Sequence, residues 1–253
     1  RGIYSKKLGK NTIVSVRKAT TYIVLSLCLF FTIFVSAQED CINIQRPKVA
    51  VVLSGGGAKG FAHIGVLKVL EQEGIPIDII VGTSMGSLIG GFYSLGYNAE
   101  EIEYIVKSQN WEKVLSDNVP RNDLSKNDQL LKQRYLLSST FSDFKTITLP
   151  QGIIKGQNIL NIFCGLAGNV PVDADFSQLP ISFACIAANL ETGEEVVITD
   201  GFFPTALFSS MAIPGVFHPV SRENLLLVDG GLVNNFPTDV AKKMGADIII
   251  GVD

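Results

Sequence analysis

Histidine is scarce in this chain: among 253 residues the only imidazoles are His63 and His218. That is too few for a three-histidine metal centre, and a hydrolase triad in the chain order Ser, Asp, His would need a histidine after the acid, where none follows Asp229. Cysteine is little commoner. Cys28, Cys41, Cys164 and Cys185 include no Cys-x-x-Cys pair and no ligand spacing, which argues against a zinc site and against a disulfide framework. No residue cluster calls for a metal, and no cofactor is expected. Charged residues make up only 18% of the chain against 47% apolar, the balance of a packed core and not of a disordered chain. Internal repeats and low-complexity linkers are missing too, so the length fits one sizeable α/β domain.

What basic charge there is collects at the start. Arg1, Lys6, Lys7, Lys10, Arg17 and Lys18 precede the apolar run from Tyr22 to Val35, and Val35-Ser36-Ala37 offers small residues for cleavage. This is the pattern of a secretory signal peptide, expected over residues 1–37 with cleavage after Ala37. The fourteen-residue run falls short of the roughly 20 residues that span a bilayer comfortably, and an uncleaved anchor is the alternative. The remaining chain carries 15 Lys and Arg against 24 Asp and Glu, a net charge of −9, so nucleic acid is an unsuitable partner. Gln38-Glu39-Asp40 before Cys41 lacks the small apolar character of a lipidation site, and Cys41 reads as an ordinary cysteine. Met85, Met211 and Met244 are the only methionines, and the expectation is that the natural start lies elsewhere and that the protein continues beyond Asp253. Export to the periplasm, to the outer membrane or to the medium is expected.

From Lys48 onward short β-branched apolar runs alternate with amphipathic stretches, the signature of parallel strands joined by crossover helices. Strands are expected at Val49–Leu53, Ile77–Val81, Ile181–Asn189, Glu195–Ile198, Leu225–Val228 and Ile248–Val252. Helices are expected at Phe61–Glu73, with Ile64, Leu67 and Leu70 on one face and Gly74 at its end, at Ser84–Leu95, and at Ile159–Ala167. Asn98 and Glu101 have capping-box spacing for a further helix through Lys107. Between Trp111 and Gly156 the pattern turns irregular, with Lys126, Lys132, Arg134 and Lys145 among Leu130, Leu131, Tyr135 and Leu136. This is either a lid facing lipid or a solvated helical excursion.

Two glycine-rich junctions carry the chemistry. The second strand runs into Gly82-Thr83-Ser84-Met85-Gly86, the nucleophile-elbow string, in which a tight strand-to-helix turn presents a serine hydroxyl and tolerates no side chain on either flank. The first strand runs into Gly55-Gly56-Gly57-Ala58-Lys59-Gly60. As a dinucleotide loop this would want an acid at the end of the next strand, but Asp78 falls at its start. As a phosphate loop it has Lys59 before the last glycine instead of after it. The reading that remains is an oxyanion hole, with bare backbone N–H groups aimed at a charged oxygen. For the base, His63 and His218 read as packing or hydrogen-bonding residues, whereas Asp229 ends the strand Leu225–Val228 and is followed by Gly230-Gly231, which permit a sharp turn.

These three elements together resemble the patatin-like phospholipase family over residues 47–253. The resemblance implies a three-layer αβα fold with a mainly parallel central sheet. It also implies a lipid acyl hydrolase with Ser84 as nucleophile, Asp229 as base, and an oxyanion hole from Gly55, Gly56 and Gly57 with the neighbouring N–H of Met85; Gly60, Gly82, Gly86, Gly230 and Gly231 complete the motifs. A phospholipid or other lipid ester is the implied substrate and a membrane surface the implied partner. The stretches Pro180–Asn189 and Ser210–Pro219 also resemble the family, without a chemical role read from their residues. Similar domains in bacterial envelope proteins are often followed by a small repeat domain and an outer-membrane barrel, an arrangement that would suit the signal segment. The alternatives are a Ser/His acyltransferase and a non-catalytic envelope or nucleotide-binding module.

Overall fold

The computed structural model describes residues 22–23, 46–115, 141–143, 146–147 and 152–253. Apart from Tyr22 and Ile23, the expected signal segment lies outside the described residues, as does most of the irregular stretch, including all four of its named basic residues. Within Pro47–Asp253, one unit, a seven-stranded sheet is built from β1 (Val49–Leu53), β2 (Ile79–Thr83), β3 (Ser182–Asn189), β4 (Glu195–Ile198), β5 (Val220–Arg222), β6 (Leu225–Asp229) and β7 (Ile248–Val252). The strands β7, β1, β2 and β3 run parallel, while β4 and β6 join β3 antiparallel and β5 joins β6 antiparallel.

Besides the single turn Trp111–Val114, the α-helices among the described residues are α1 (His63–Gln72), α2 (Met85–Ser94), α3 (Ala99–Ser108), α4 (Gln157–Ala167), α5 (Phe203–Met211) and α6 (Thr238–Lys243). Strand residues alternate between the faces of a sheet, and the two faces carry separate cores. Val51, Leu53, Ile80, Phe183 and Cys185 pack with apolar residues of α1 to α5, while Ala50, Val52, Ile79, Val81 and Ile186 pack against Val240 and Ala241 of α6. Burial on both faces explains why β1 and β2 read as continuous apolar runs. This is the α/β architecture in three layers, one layer much thicker than the other. None of the helices in the described residues is long and apolar enough to cross a membrane.

Several element boundaries move by a residue or two, and two of the shifts bear on the site. Strand β2 begins at Ile79 because Asp78 is a strand cap: its Oδ2 accepts the Val49 N–H at 2.8 Å and its own N–H donates to Val49 O at 2.9 Å. Asp78 therefore sits at the end of the sheet opposite the glycine loop, away from any ribose-binding position. The first helix opens with a 3-10 segment, Gly57–Ala62, before α1 begins at His63. The expected capping box is present, Asn98 Oδ1 accepting from Glu101 N and Glu101 Oε2 from Asn98 N.

The sheet pairing decides where the two key strand ends fall. Cys185 and Ile186 of β3 pair with both β2 and β4, and Ala187 and Ala188 pair with both β4 and β6. Hence β4 takes one edge of β3, and β2 and β6 share the other. Strand β2 advances along that edge until Thr83 pairs with Ile186, and β6 comes the opposite way until Asp229 pairs with Ala187. Their carboxyl ends meet head to head.

Candidate active site

Ser84 is the first residue after β2, and Asp229 is the last of β6. The Ser84 hydroxyl donates to Asp229 Oδ2 at 2.7 Å, although 145 positions separate them, and each residue is only 7% exposed. The other carboxylate oxygen, Oδ1, accepts from the N–H of Gly231 at 2.7 Å, so Oδ2 is left to face the serine. Burial pushes the Asp229 carboxyl above the ordinary carboxylate range, against the opposing pull of the Gly231 N–H and the Ser84 hydroxyl.

Ser84 sits at φ 52°, ψ −120°, a sparsely populated region for any residue with a Cβ. The turn is this tight because β2 feeds straight into α2. A Cβ at Gly82 would lie 2.5 Å from Ser87 N and Cα, and one at Gly86 would run into the carbonyls of Leu53 and Ser54. The strained serine is held by three further bonds: its N–H donates to Ser210 Oγ at 3.0 Å, its carbonyl accepts from Ser87 Oγ at 2.6 Å, and Thr83 Oγ1 donates to Asn234 O at 2.9 Å.

Beside the elbow runs the glycine loop after β1. Lys59 N donates back to Gly56 O at 3.1 Å, so the N–H groups of Gly57 and Ala58 precede the first bond of the 3-10 segment and have no partner within it. Gly57 is at φ 54°, where glycine is the unstrained choice. The Met85 N–H, at the first position of α2, likewise lies before the helix's first bonds. Gly55 differs: its N–H is engaged with Asn235 O at 3.3 Å and its carbonyl accepts from Asn235 Nδ2 at 3.1 Å. Gly60 leaves room for the Met85 side chain, Gly230 packs against the Ile186 carbonyl, and Gly231 lies against Asn235 and Asp229.

An apolar cavity of about 480 Å³ opens at the serine, with Phe61, Leu88, Trp111, Phe163, Met211 and Ile213 among its walls. Phe61 and Trp111, both lining it, meet at a 49° tilt with ring centroids 5.3 Å apart. Neither histidine joins the pair. His63 is buried with Nε2 donating to Ser54 O at 2.9 Å and with Nδ1 lacking a hydrogen-bond partner; His218 is tied through its backbone N–H to Ile154 O at 3.0 Å. Among the described residues no group of three His, Cys, Asp or Glu could hold a metal ion. Sequence reasoning missed Ser210 and Asn235, which bond the elbow and the loop from far along the chain. The one signal for Ser210 was its place in a stretch that resembled the family without a role.

Residues 51–242 match the profile described as patatin-like phospholipase. An uncharacterized NTE family protein of Mycobacterium tuberculosis is 31% identical over 208 residues, 82% of this chain and 49% of the relative. A patatin-like phospholipase domain-containing protein of Caenorhabditis elegans is 33% identical over 207 residues, 81% of this chain and 13% of the relative. Among solved structures, VipD from Legionella pneumophila aligns with a TM-score of 0.48 at 16% identity, over 76% of this chain and 47% of that one. The chain thus spans about half the length, or less, of the curated relatives it matches. With the profile covering most of its length, the chain belongs to the patatin-like phospholipase family.

Proposed function

We propose that this chain is a lipid acyl hydrolase that cleaves carboxylic esters through a Ser84–Asp229 dyad. The 2.7 Å hydrogen bond from the Ser84 hydroxyl to Asp229 Oδ2 carries the reading. In the first half-reaction Ser84 Oγ attacks the ester carbonyl and passes its proton to Asp229; the tetrahedral oxyanion is met by the N–H groups of Gly56, Gly57 and Met85. Gly55 shapes the loop instead of donating, since its own N–H is already bonded to Asn235. Collapse breaks the C–O bond, the proton on Asp229 goes to the leaving alcohol, and an acyl-serine remains. Water, deprotonated by the same carboxylate, attacks the acyl-serine; the acyl C–Oγ bond breaks, the proton on Asp229 returns to Ser84 Oγ, and the acid is released. Burial of Asp229 supports this role, because a carboxylate with a raised pKa is a stronger base.

The apolar cavity beside Ser84 suits an acyl chain, and the family's description as a phospholipase supports a phospholipid substrate met at a membrane surface. The test is hydrolysis of phospholipids and short-chain 4-nitrophenyl esters by the purified chain. Ser84→Ala and Asp229→Ala are each expected to lower kcat by about a thousandfold or more, while His63→Ala and His218→Ala retain most of it. If either histidine variant were as inactive as Asp229→Ala, a triad would replace the dyad.

A further inference from the structure

The stretch that begins at Ser210 is the part of the sequence that the dyad mechanism leaves unused. It closes α5, and two of its three first residues bond the backbone of the dyad. Ser210 Oγ accepts the Ser84 N–H at 3.0 Å and donates to Ile186 O at 2.5 Å, and Ala212 O accepts the Asp229 N–H at 3.0 Å. Ser210 and Ala212 are fully buried. Ile186 is the β3 residue that pairs with Thr83, next to the Ala187 that pairs with Asp229. The chain of bonds from Ser84 N through Ser210 Oγ to Ile186 O thus ties the elbow to the one strand that both dyad strands share.

We infer that Ser210 is a positioning residue for the hydrolytic reaction: its hydroxyl holds the strained Ser84 backbone in register with Asp229, while Ala212, two residues on, holds the Asp229 backbone. The inference rests on the dyad reading. A serine suits this place because its hydroxyl accepts and donates at once, as the two-sided bond requires. Take it away and two buried backbone groups, Ser84 N–H and Ile186 C=O, lose their partner. Ser84 can then relax toward an ordinary φ, which swings Oγ off the line to Oδ2. Substrate binding depends on the cavity walls, so the effect falls on the chemical step.

Two measurements test this. In the otherwise unchanged chain, Ser210→Ala is expected to lower kcat for 4-nitrophenyl butyrate by on the order of 10- to 100-fold at unchanged KM, and Ser210→Thr, which returns a hydroxyl, to recover most of the loss. A kcat within twofold of the parent chain overturns the proposal. The second is a stability cycle that needs no activity. Ser84→Ala keeps the strained Cβ and Ser84→Gly removes it. If Ser210 restrains a strained elbow, its loss is partly offset by relaxation where the Cβ is present, and Ser210→Ala raises the unfolding equilibrium constant by a factor about threefold smaller in the Ser84→Ala background than in Ser84→Gly. Equal losses in the two backgrounds mean that other contacts hold the elbow, and the proposal fails. Should Ser210→Ala not fold, Ser210→Cys, nearly isosteric with a weak donor and acceptor, reads both quantities. Should Ser84→Ala retain hydrolysis, the dyad reading is what has failed, and the stability cycle still decides the anchoring role.

Discussion

Strain at Ser84 predicts an inverted order of stability between two inactive variants. At an ordinary buried site glycine is less stable than alanine: it loses about 0.5–1 kcal/mol more chain entropy on folding and gives up about 0.8 kcal/mol of buried carbon, together about 1.5 kcal/mol. Ser84 holds φ 52°, ψ −120°, where a Cβ costs about 1–3 kcal/mol and glycine costs nothing. Taking about 2 kcal/mol for the strain, Ser84→Gly should be more stable than Ser84→Ala by about 0.5 kcal/mol. For a domain of this size 1 kcal/mol moves the midpoint by about 2–4 °C, so Ser84→Gly melts about 1–2 °C above Ser84→Ala, where an unstrained site would put it about 3–6 °C below. Comparing the variants with each other cancels the missing hydroxyl, which both have lost. Thermal unfolding followed by circular dichroism or calorimetry reads the difference. If Ser84→Gly melts 3 °C or more below Ser84→Ala, the elbow is not strained and the account of its geometry is wrong.

Further expectations concern charge, glycine and the cavity. Burial raises the Asp229 pKa above its unfolded value, so between the two the native state binds the proton more tightly, and stability falls as pH rises through that window. Asp229→Asn, which keeps an acceptor for Gly231, should therefore melt above the parent at neutral pH while losing activity, with the gap closing on acidification; a gap independent of pH would contradict this. In the parent chain kcat/KM should rise with pH through the same window, above the ordinary carboxyl value, and then level off. Gly65→Ala, in α1 with open space where the Cβ would go, should stabilise by about 0.5–1 kcal/mol, and Gly86→Ala, which meets the Leu53 carbonyl, should destabilise by about 1–3 kcal/mol or fail to fold; equal effects in a urea titration would refute the packing described. Trp111, the only tryptophan, lines the cavity beside Ser84, so attaching a long-chain phosphonate to Ser84 should shift its emission to the blue, and an unchanged spectrum would place the acyl chain elsewhere.

Much of the fold was legible because burial on both faces of a sheet writes itself as unbroken apolar runs, as in Val49–Leu53 and Ile79–Val81. The elbow was legible for a steric reason: Gly82 and Gly86 are where backbone approaches too closely for any side chain. Asp229 was legible from its place at a strand end before two glycines. What stayed hidden depends on partners distant in sequence. Ser210 meets Ser84 across 126 positions and Asn235 meets Gly55 across 180, and nothing local distinguishes such a serine or asparagine from a surface one. The hairpin joining β5 and β6 was missed for a different reason. Its two loop residues, Glu223 and Asn224, adopt φ 50° and 65°, a turn usually signalled by glycine, and here the strand pairing of Arg222 with Leu225 imposes it. The boundary at Ile79 moved because Asp78 spends its carboxylate on a neighbouring strand.

The dyad itself is tested most directly by covalent labelling. A fluorophosphonate should modify the purified chain at one residue, identified by peptide mass spectrometry as Ser84, and Asp229→Asn should slow that labelling by about a thousandfold while the fold, read by circular dichroism, stays intact. Labelling of Ser84 at an undiminished rate in Asp229→Asn, or of a different serine in the parent chain, would contradict direct activation of Ser84 by Asp229.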